Sequence, residues 1–311
     1  MSLYLGLDLG GTHVRAVVAD VRHDPPLVLG RDERPTPAQG GRDVPAAIAG
    51  SARQALAAAG VALSEVVAAG CASPGPLDHR TGVVHEAPNI RGFSEFPLGD
   101  SVSAALDGLR VFVDRDTVMA AIAEGLVGAA RGFADFVYVT VSTGIGGAIV
   151  SGGRLLRGVS GTAGEVGHWP VALEGPRCGC LAFGCVESLA GGRNLAQAFG
   201  VVGAAPVYAA AAAGDERAWE IVARAEAALG NLGVGLVNAL NPSRIVVGGS
   251  IAEHEPGHVL EPMRRAIAAR AFSVPARAVE VVPSALGGEV GMLGAVLAAR
   301  ERGAGRGEWF L

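Results

Sequence analysis

The chain has 311 residues, half of them hydrophobic, a net charge of −5 and no lysine. That composition can bury a substantial core and excludes intrinsic disorder. The acidic balance, with arginines scattered rather than striped, argues against a nucleic-acid partner, because phosphates call for concentrated positive charge. The start at Met1 shows no basic-then-apolar leader, and no run of about 20 uncharged apolar residues occurs, so a cytoplasmic protein with no membrane partner is expected. The length suggests two domains, and four cysteines in a reducing compartment point to metal ligands or packed thiols.

In chain order, residues 3–8 read as a strand, Gly10-Gly11-Thr12 as a turn and 13–20 as a returning strand. A helix follows over 43–59, with Asp43 as its cap and Gly60 as its stop. Strands are expected at 66–71 and 110–114, then a helix at 117–129. The opening pattern then recurs: a strand at 136–142, the turn Thr143-Gly144-Ile145-Gly146-Gly147 and a strand at 148–151. An alanine-rich helical stretch over 214–239 is broken by Asn241-Pro242. Strands at 244–247 and 279–282 and helices at 257–271 and 289–301 complete an α/β pattern.

Several motifs bear on chemistry. In Asp8-Leu9-Gly10-Gly11-Thr12, glycines at a strand turn let backbone N–H groups approach a phosphate, Thr12 adds a hydroxyl, and Asp8 is placed to hold Mg²⁺. An ordinary hairpin would use the same glycines; the second glycine turn, with Thr143, Gly144 and Gly146, strengthens the phosphate reading. Neither turn carries the lysine of a P-loop. Gly248-Gly249-Ser250 follows a strand and either brings a base or ribose close to backbone or simply turns into a helix. His168, Cys178, Cys180 and Cys185 form a standard tetrahedral zinc set, and four protein ligands make such a zinc structural. Cys71 stands alone and reads as a packed thiol. Asp114-Arg115-Asp116 joins a strand to a helix, where an aspartate serves as a helix cap or as a general base on a substrate hydroxyl.

These pieces, in this order, resemble the ROK family. The likeness is carried by Asp8-Leu9-Gly10-Gly11-Thr12, Pro74-Gly75-Pro76 with Pro88-Asn89, the strand ending in Asp116, Ser142 to Gly147, Gly164-Glu165-Val166-Gly167-His168, the cysteine cluster and Glu187. The resemblance implies the actin-like ATPase (ribonuclease H-like) fold, two α/β domains with a cleft between them. It divides the chain into a small domain at 1–115, completed by the C-terminal helix at about 300–311, and a larger one at 116–299 with a zinc-binding insert at about 164–187. It implies an ATP-dependent hexose kinase with Mg²⁺, glucokinase-like, in which Asp116 is the catalytic base on the sugar 6-hydroxyl. Asn89, Arg115, Glu165, His168 and Glu187 would contact the sugar, while Asp8, Gly10, Gly11, Thr12, Thr143, Gly144, Gly146, Gly248 and Gly249 would serve the nucleotide. His168 would share its ring between zinc and sugar. A homodimer or homotetramer is also implied.

The sequence departs from the family where Arg115 and Val118 stand in place of the usual asparagines and Leu181 in place of a glycine. Arg-Asp at 115–116 is similar to allose-kinase-like members, so allose, mannose, fructose, N-acetylglucosamine and N-acetylmannosamine stand beside glucose as substrates. A sugar-responsive repressor, the family's other branch, would be expected to carry a helix-turn-helix before the first phosphate strand. A non-catalytic sensor is disfavoured by the retained Asp8 and Asp116.

Overall fold

Alternating leucines open the chain, and Leu3, Leu5, Leu7 and Leu9 are each at most 1% exposed, so one whole face of the first strand is core. The computed structural model describes residues 2–87 and 90–306. Its elements begin with β1 (Leu3–Leu9), β2 (His13–Asp20), β3 (Leu27–Pro35), α1 (Asp43–Ala59), β4 (Val66–Ser73), β5 (Leu77–Asp78), β6 (Val83–Glu86) and β7 (Ser94–Pro97). Then come α2 (Leu98–Ala105), β8 (Val111–Arg115), α3 (Asp116–Val127), β9 (Phe136–Val141), β10 (Ile145–Ser151) and β11 (Arg154–Leu155). The remainder is α4 (Val186–Ala190), α5 (Gly192–Phe199), α6 (Ala205–Ala212), α7 (Glu216–Leu240), β12 (Arg244–Gly248), α8 (Ser250–His254), α9 (Pro256–Arg270), α10 (Ser273–Ala278), β13 (Glu280–Pro283) and α11 (Val290–Gly303).

The chain divides into two compact units. The first holds the chain up to Val127, the stretch Arg157–Ala163 and the chain from Glu289 onward; the second holds Gly128–Leu156 and Gly164–Gly288. Each has a five-stranded sheet of the same plan: β3-β2-β1-β4-β8 in one, β11-β10-β9-β12-β13 in the other. In both, three antiparallel strands are followed by parallel ones, so the echo between the two glycine-tipped hairpins extends to whole sheets. A further small sheet in the first unit, β5-β6-β7, has no counterpart among the elements expected from sequence.

In the first unit α1 covers the leucine face of β1, while α11 covers the other face through Val296 and Ala299. That second contact is backbone against backbone. A Cβ added at Gly6 would overlap the carbonyl of Met292, one at Gly70 that of Ala295, and one at Gly294 that of Met119 in α3. This packing assigns α3 and all of α11 to the first unit, which differs from the expected division at residue 116 and from a completing helix confined to about 300–311. In the second unit the core lies between β9, β10 and β12 and the helices α7 and α9. Asp215 caps α7, accepting from the Ala218 N–H at 2.8 Å, and Asn241 ends it in a left-handed conformation (φ 46°). Gly60 ends α1 in the same way, but Asp43 is the first residue of that helix and not its cap. No helix among the described residues is long and apolar enough to cross a membrane.

One buried charge cluster organises the first unit. Asp114, 1% exposed, accepts from both terminal nitrogens of Arg157 at 2.9 and 2.8 Å and from Arg302 of α11 at 2.6 Å. It also accepts from the Arg115 backbone N–H at 2.9 Å. Burial alone would raise its pKa; Arg157 and Arg302 outweigh burial and hold the carboxyl below its ordinary value of 3.8. Its contribution to stability is therefore full above that value and fades as pH falls toward the lower folded pKa.

Two stability predictions follow from this packing. Gly70→Ala should cost about 1–3 kcal/mol by overpacking the β4–α11 contact, read as a lower urea midpoint at unchanged slope. Asp114→Ala should cost about 3–5 kcal/mol at neutral pH, because two buried guanidinium groups lose their counter-charge; a melting temperature equal to the parent's would refute it.

Candidate active site

In the first unit, β1, β4 and β8 run parallel, so Asp8 near the end of β1 and Asp116 just past the end of β8 lie at the same sheet edge, where parallel α/β sheets bind ligands. Asp8 is half-buried with Arg15 Nη1 at 3.8 Å from its Oδ2. Its pKa is raised to about 6, first by burial and then by the negative charge of Asp116; Arg15 lowers it and Glu33 adds to the rise. Two carboxylates close enough to repel each other form a natural place for a divalent cation.

The β1–β2 turn between them is braced from behind. Thr36 Oγ1 donates to the Gly10 carbonyl at 2.7 Å and Thr36 N–H to the Thr12 carbonyl at 2.8 Å, leaving Gly11 and Thr12 exposed at the tip. Nothing in the sequence marked Thr36, which meets the turn only through sheet pairing from β3.

Asp116 is the exposed first residue of α3, and its Oδ1 accepts from the Thr117 N–H at 2.7 Å. The helix N-terminus stabilises its negative charge. Arg115 is 4% exposed, and its guanidinium donates to the Ala163 carbonyl at 2.5 Å. The side chain expected at the sugar thus anchors the Arg157–Ala163 stretch, which Arg157 ties down from its other end. Val118 is 1% exposed and part of the core. Asn89 lies outside the described residues.

In the second unit, β9 and β12 run parallel, which places the β9–β10 turn beside Gly248-Gly249-Ser250; Ser142 Oγ and Ser250 Oγ are 3.0 Å apart. Gly249 has φ 93°, and a Cβ there would sit 2.6 Å from Thr140 Oγ1 and from the Val141 carbonyl. A Cβ on Gly248 would meet the Tyr138 hydroxyl at 2.6 Å. The turn itself is stapled: Gly192 and Arg193 N–H donate to the Ser142 and Thr143 carbonyls at 2.8 and 3.0 Å, and Ile145 N–H donates to Glu187 Oε2 at 2.9 Å. Gly146 continues into β10, opposite Thr140.

Glu165 and His168 flank a single 3₁₀ turn over Val166–His168. Val166 is fully buried, and a Cβ on Gly167 would overlap the Ile145 carbonyl. That close contact with β10 holds Glu165 exposed on one side and His168 half-buried on the other.

His168 then meets the cysteines. Its Nδ1 lies 3.5 Å from Cys178 Sγ, and Cys180 Sγ lies 3.7 Å from Cys185 Sγ. The ligand atoms of His168, Cys178 and Cys180 all fall within 4.8 Å of one another. Tetrahedral zinc with bonds of about 2.3 Å to sulfur and about 2.0–2.1 Å to nitrogen requires S···S edges of about 3.8 Å and S···N edges of about 3.5 Å; the His168–Cys178 and Cys180–Cys185 pairs match those edges, while Cys185, whose thiol meets the His168 carbonyl, stands outside the group of three gathered within 4.8 Å. Burial pushes the Cys185 thiol up to about 12, and a metal must displace that proton. The loop closes through Cys178 N–H on the Ala182 carbonyl at 2.7 Å and through Leu181 at φ 75°, a left-handed conformation that a glycine would adopt at less cost. Cys71 is buried in the first unit's core, with burial pushing its thiol to about 12, as a packed thiol should be.

The ROK family model matches residues 4–302. A glucokinase of Halalkalibacterium halodurans is 32% identical over 94% of this chain and 93% of its own. Relatives at similar identity include the N-acetylmannosamine kinase of Escherichia coli, 33% identical over 95% of this chain and 98% of its own. Among solved structures, the ROK hexokinase of Thermus thermophilus is 39% identical at a TM-score of 0.81, covering 96% of this chain and 98% of its own. A ROK glucokinase of Streptomyces griseus in complex with glucose and AMPPNP is 29% identical at a TM-score of 0.81, covering 96% of this chain and 100% of its own. The fold is the expected actin-like one, and with a family match over nearly its whole length the chain belongs to the ROK family.

Proposed function

We propose that this protein is an ATP-dependent hexose kinase acting on glucose, with Asp116 as general base. The observation that carries the reading is the carboxylate pair Asp8 and Asp116 at one sheet edge, close enough that each charge is felt by the other, in a chain whose relatives are named as sugar kinases. Asp116 takes the proton of the sugar 6-hydroxyl as that oxygen forms its bond to the γ-phosphorus. The bond from the γ-phosphorus to the bridging oxygen breaks, and ADP leaves with that electron pair. Phosphoryl transfer needs positioning and charge stabilisation more than covalent chemistry. The turns at Gly10-Gly11-Thr12 and Ser142-Thr143-Gly144 provide backbone N–H donors for phosphates. Gly248-Gly249 provides a close backbone approach for the nucleoside. Mg²⁺ at Asp8 would supply charge neutralisation of the triphosphate.

Glu165, His168 and Glu187 would hold sugar hydroxyls. Zinc held by Nδ1 of His168 and by Cys178, Cys180 and Cys185 would supply a fixed tautomer and direction for that imidazole, leaving Nε2 for a hydroxyl. N-acetylmannosamine is the second substrate reading, supported by relatives of similar identity. A cytoplasmic homodimer or homotetramer completes the proposal, with light scattering as its check.

Asp116→Asn should lower kcat by roughly 10²–10⁴ with the sugar KM within a few-fold of the parent's. A coupled ADP assay over glucose, allose, mannose, fructose and the two 2-acetamido sugars measures both this and the substrate choice; unchanged turnover removes Asp116 as the base. Cys180→Ser should lose zinc, melting temperature and sugar affinity together. Loss of zinc with sugar affinity intact would separate the metal from the pocket.

A further inference from the structure

Glu187 is expected at the sugar, yet its carboxylate is already engaged elsewhere. Oε2 accepts the Ile145 N–H at 2.9 Å. A Cβ on Gly144 would stand 2.5 Å from the same oxygen, so this carboxylate lies directly beneath the β9–β10 turn. The rest of the turn is held from the same corner of the fold. The α4–α5 junction donates Gly192 N–H to the Ser142 carbonyl and Arg193 N–H to the Thr143 carbonyl, at 2.8 and 3.0 Å. The Gly144 carbonyl accepts from Ser142 N–H at 2.9 Å. With all three carbonyls of 142–144 turned inward, the N–H groups of Thr143 and Gly144 find no acceptor among the described residues. They are the pair of donors a phosphate oxygen would meet.

We propose that Glu187 is a positioning residue for this phosphate turn, so that a single carboxylate serves both substrates: Oε2 sets the turn that receives nucleotide phosphates, and Oε1 is left for a sugar hydroxyl. The inference rests on the reading of 142–147 as the phosphate turn and of Glu187 as a sugar contact. Its consequence is mutual: a sugar that orders Glu187 also orders the donors for the nucleotide, and a nucleotide that orders the turn orders Glu187 for the sugar. The link lies wholly within the second unit. It also accounts for Gly144, since any side chain there would push the carboxylate away.

The test is the affinity of sugar-free protein for Mg²⁺-AMPPNP by titration calorimetry, with zinc content and melting temperature recorded for every variant. Glu187→Ala should bind AMPPNP about tenfold more weakly, the scale of one lost hydrogen bond to a charged acceptor. Glu187→Gln keeps an oxygen for the Ile145 N–H and should stay within about threefold of the parent. Gly144→Ala should weaken AMPPNP, and combining it with Glu187→Ala should add little, as expected of two changes to one contact. Parental AMPPNP affinity in Glu187→Ala overturns the proposal. Equal weakening in the Ala and Gln variants together with lost zinc also overturns it, because the effect is then collapse of the cysteine loop. If the parent protein binds sugar but no AMPPNP, the phosphate reading of the turn fails and takes this inference with it.

Discussion

Asp114 receives hydrogen bonds from the guanidinium groups of Arg157 and Arg302 inside the first unit. A carboxylate so buried persists only if its lone pairs are satisfied and its charge opposed, and the chain brings those partners from its middle and from its last helix. Arg157 comes from the short stretch between β11 and Glu165, and Arg302 from the last helix. Asp114 is also the residue before Arg115, which clasps Ala163, and two before Asp116. The position of the proposed base thus depends on an ion cluster that performs no chemistry. A β-strand end would fray in water; here it is held by buried charges.

The second unit reaches the same rigidity by different means. The groups of its proposed site are strung along one covalent path: His168 beside Cys178, Cys185 at the start of α4, Glu187 two residues on, and Gly192 and Arg193 at the start of α5. Val186 N–H donates to the Trp169 carbonyl at 3.1 Å, closing the path on itself. A zinc ion in that cluster would have its effect on both proposed ligands, because the helix turn that carries a cysteine also carries the glutamate beneath the phosphate turn. Placing a structural metal close to two substrates makes physical sense when the loop supporting them is short, glycine-rich and otherwise weakly packed; Leu181 and Phe183, 68% and 59% exposed, give it little core of its own.

Much of the architecture was legible because its signals are local. Glycine-tipped hairpins, Gly60 and Asn241 as helix stops and the alternating leucines of β1 each work through backbone conformation or strand period, which neighbouring residues dictate. The gathering of His168, Cys178 and Cys180 was legible from residue type and spacing. Less visible were β3, the β5–β7 sheet and the short helices α4 to α6. Their residues carry no strong period, and their existence depends on what they pack against. The exchange of α3 and α11 between units was likewise hidden, since it turns on where a carbonyl meets a missing Cβ.

By itself the sequence determined the α/β class, the paired glycine turns and the family, all of which rest on residue type at fixed spacing. Only the tertiary structure decided what Arg115 and Glu187 hold. Both have long side chains whose partners, Ala163 and Ile145, lie 48 and 42 residues away in sequence. Which backbone group a guanidinium or carboxylate reaches across such a gap is set by sheet register and by the backbone contacts that glycine permits, and no local pattern encodes either.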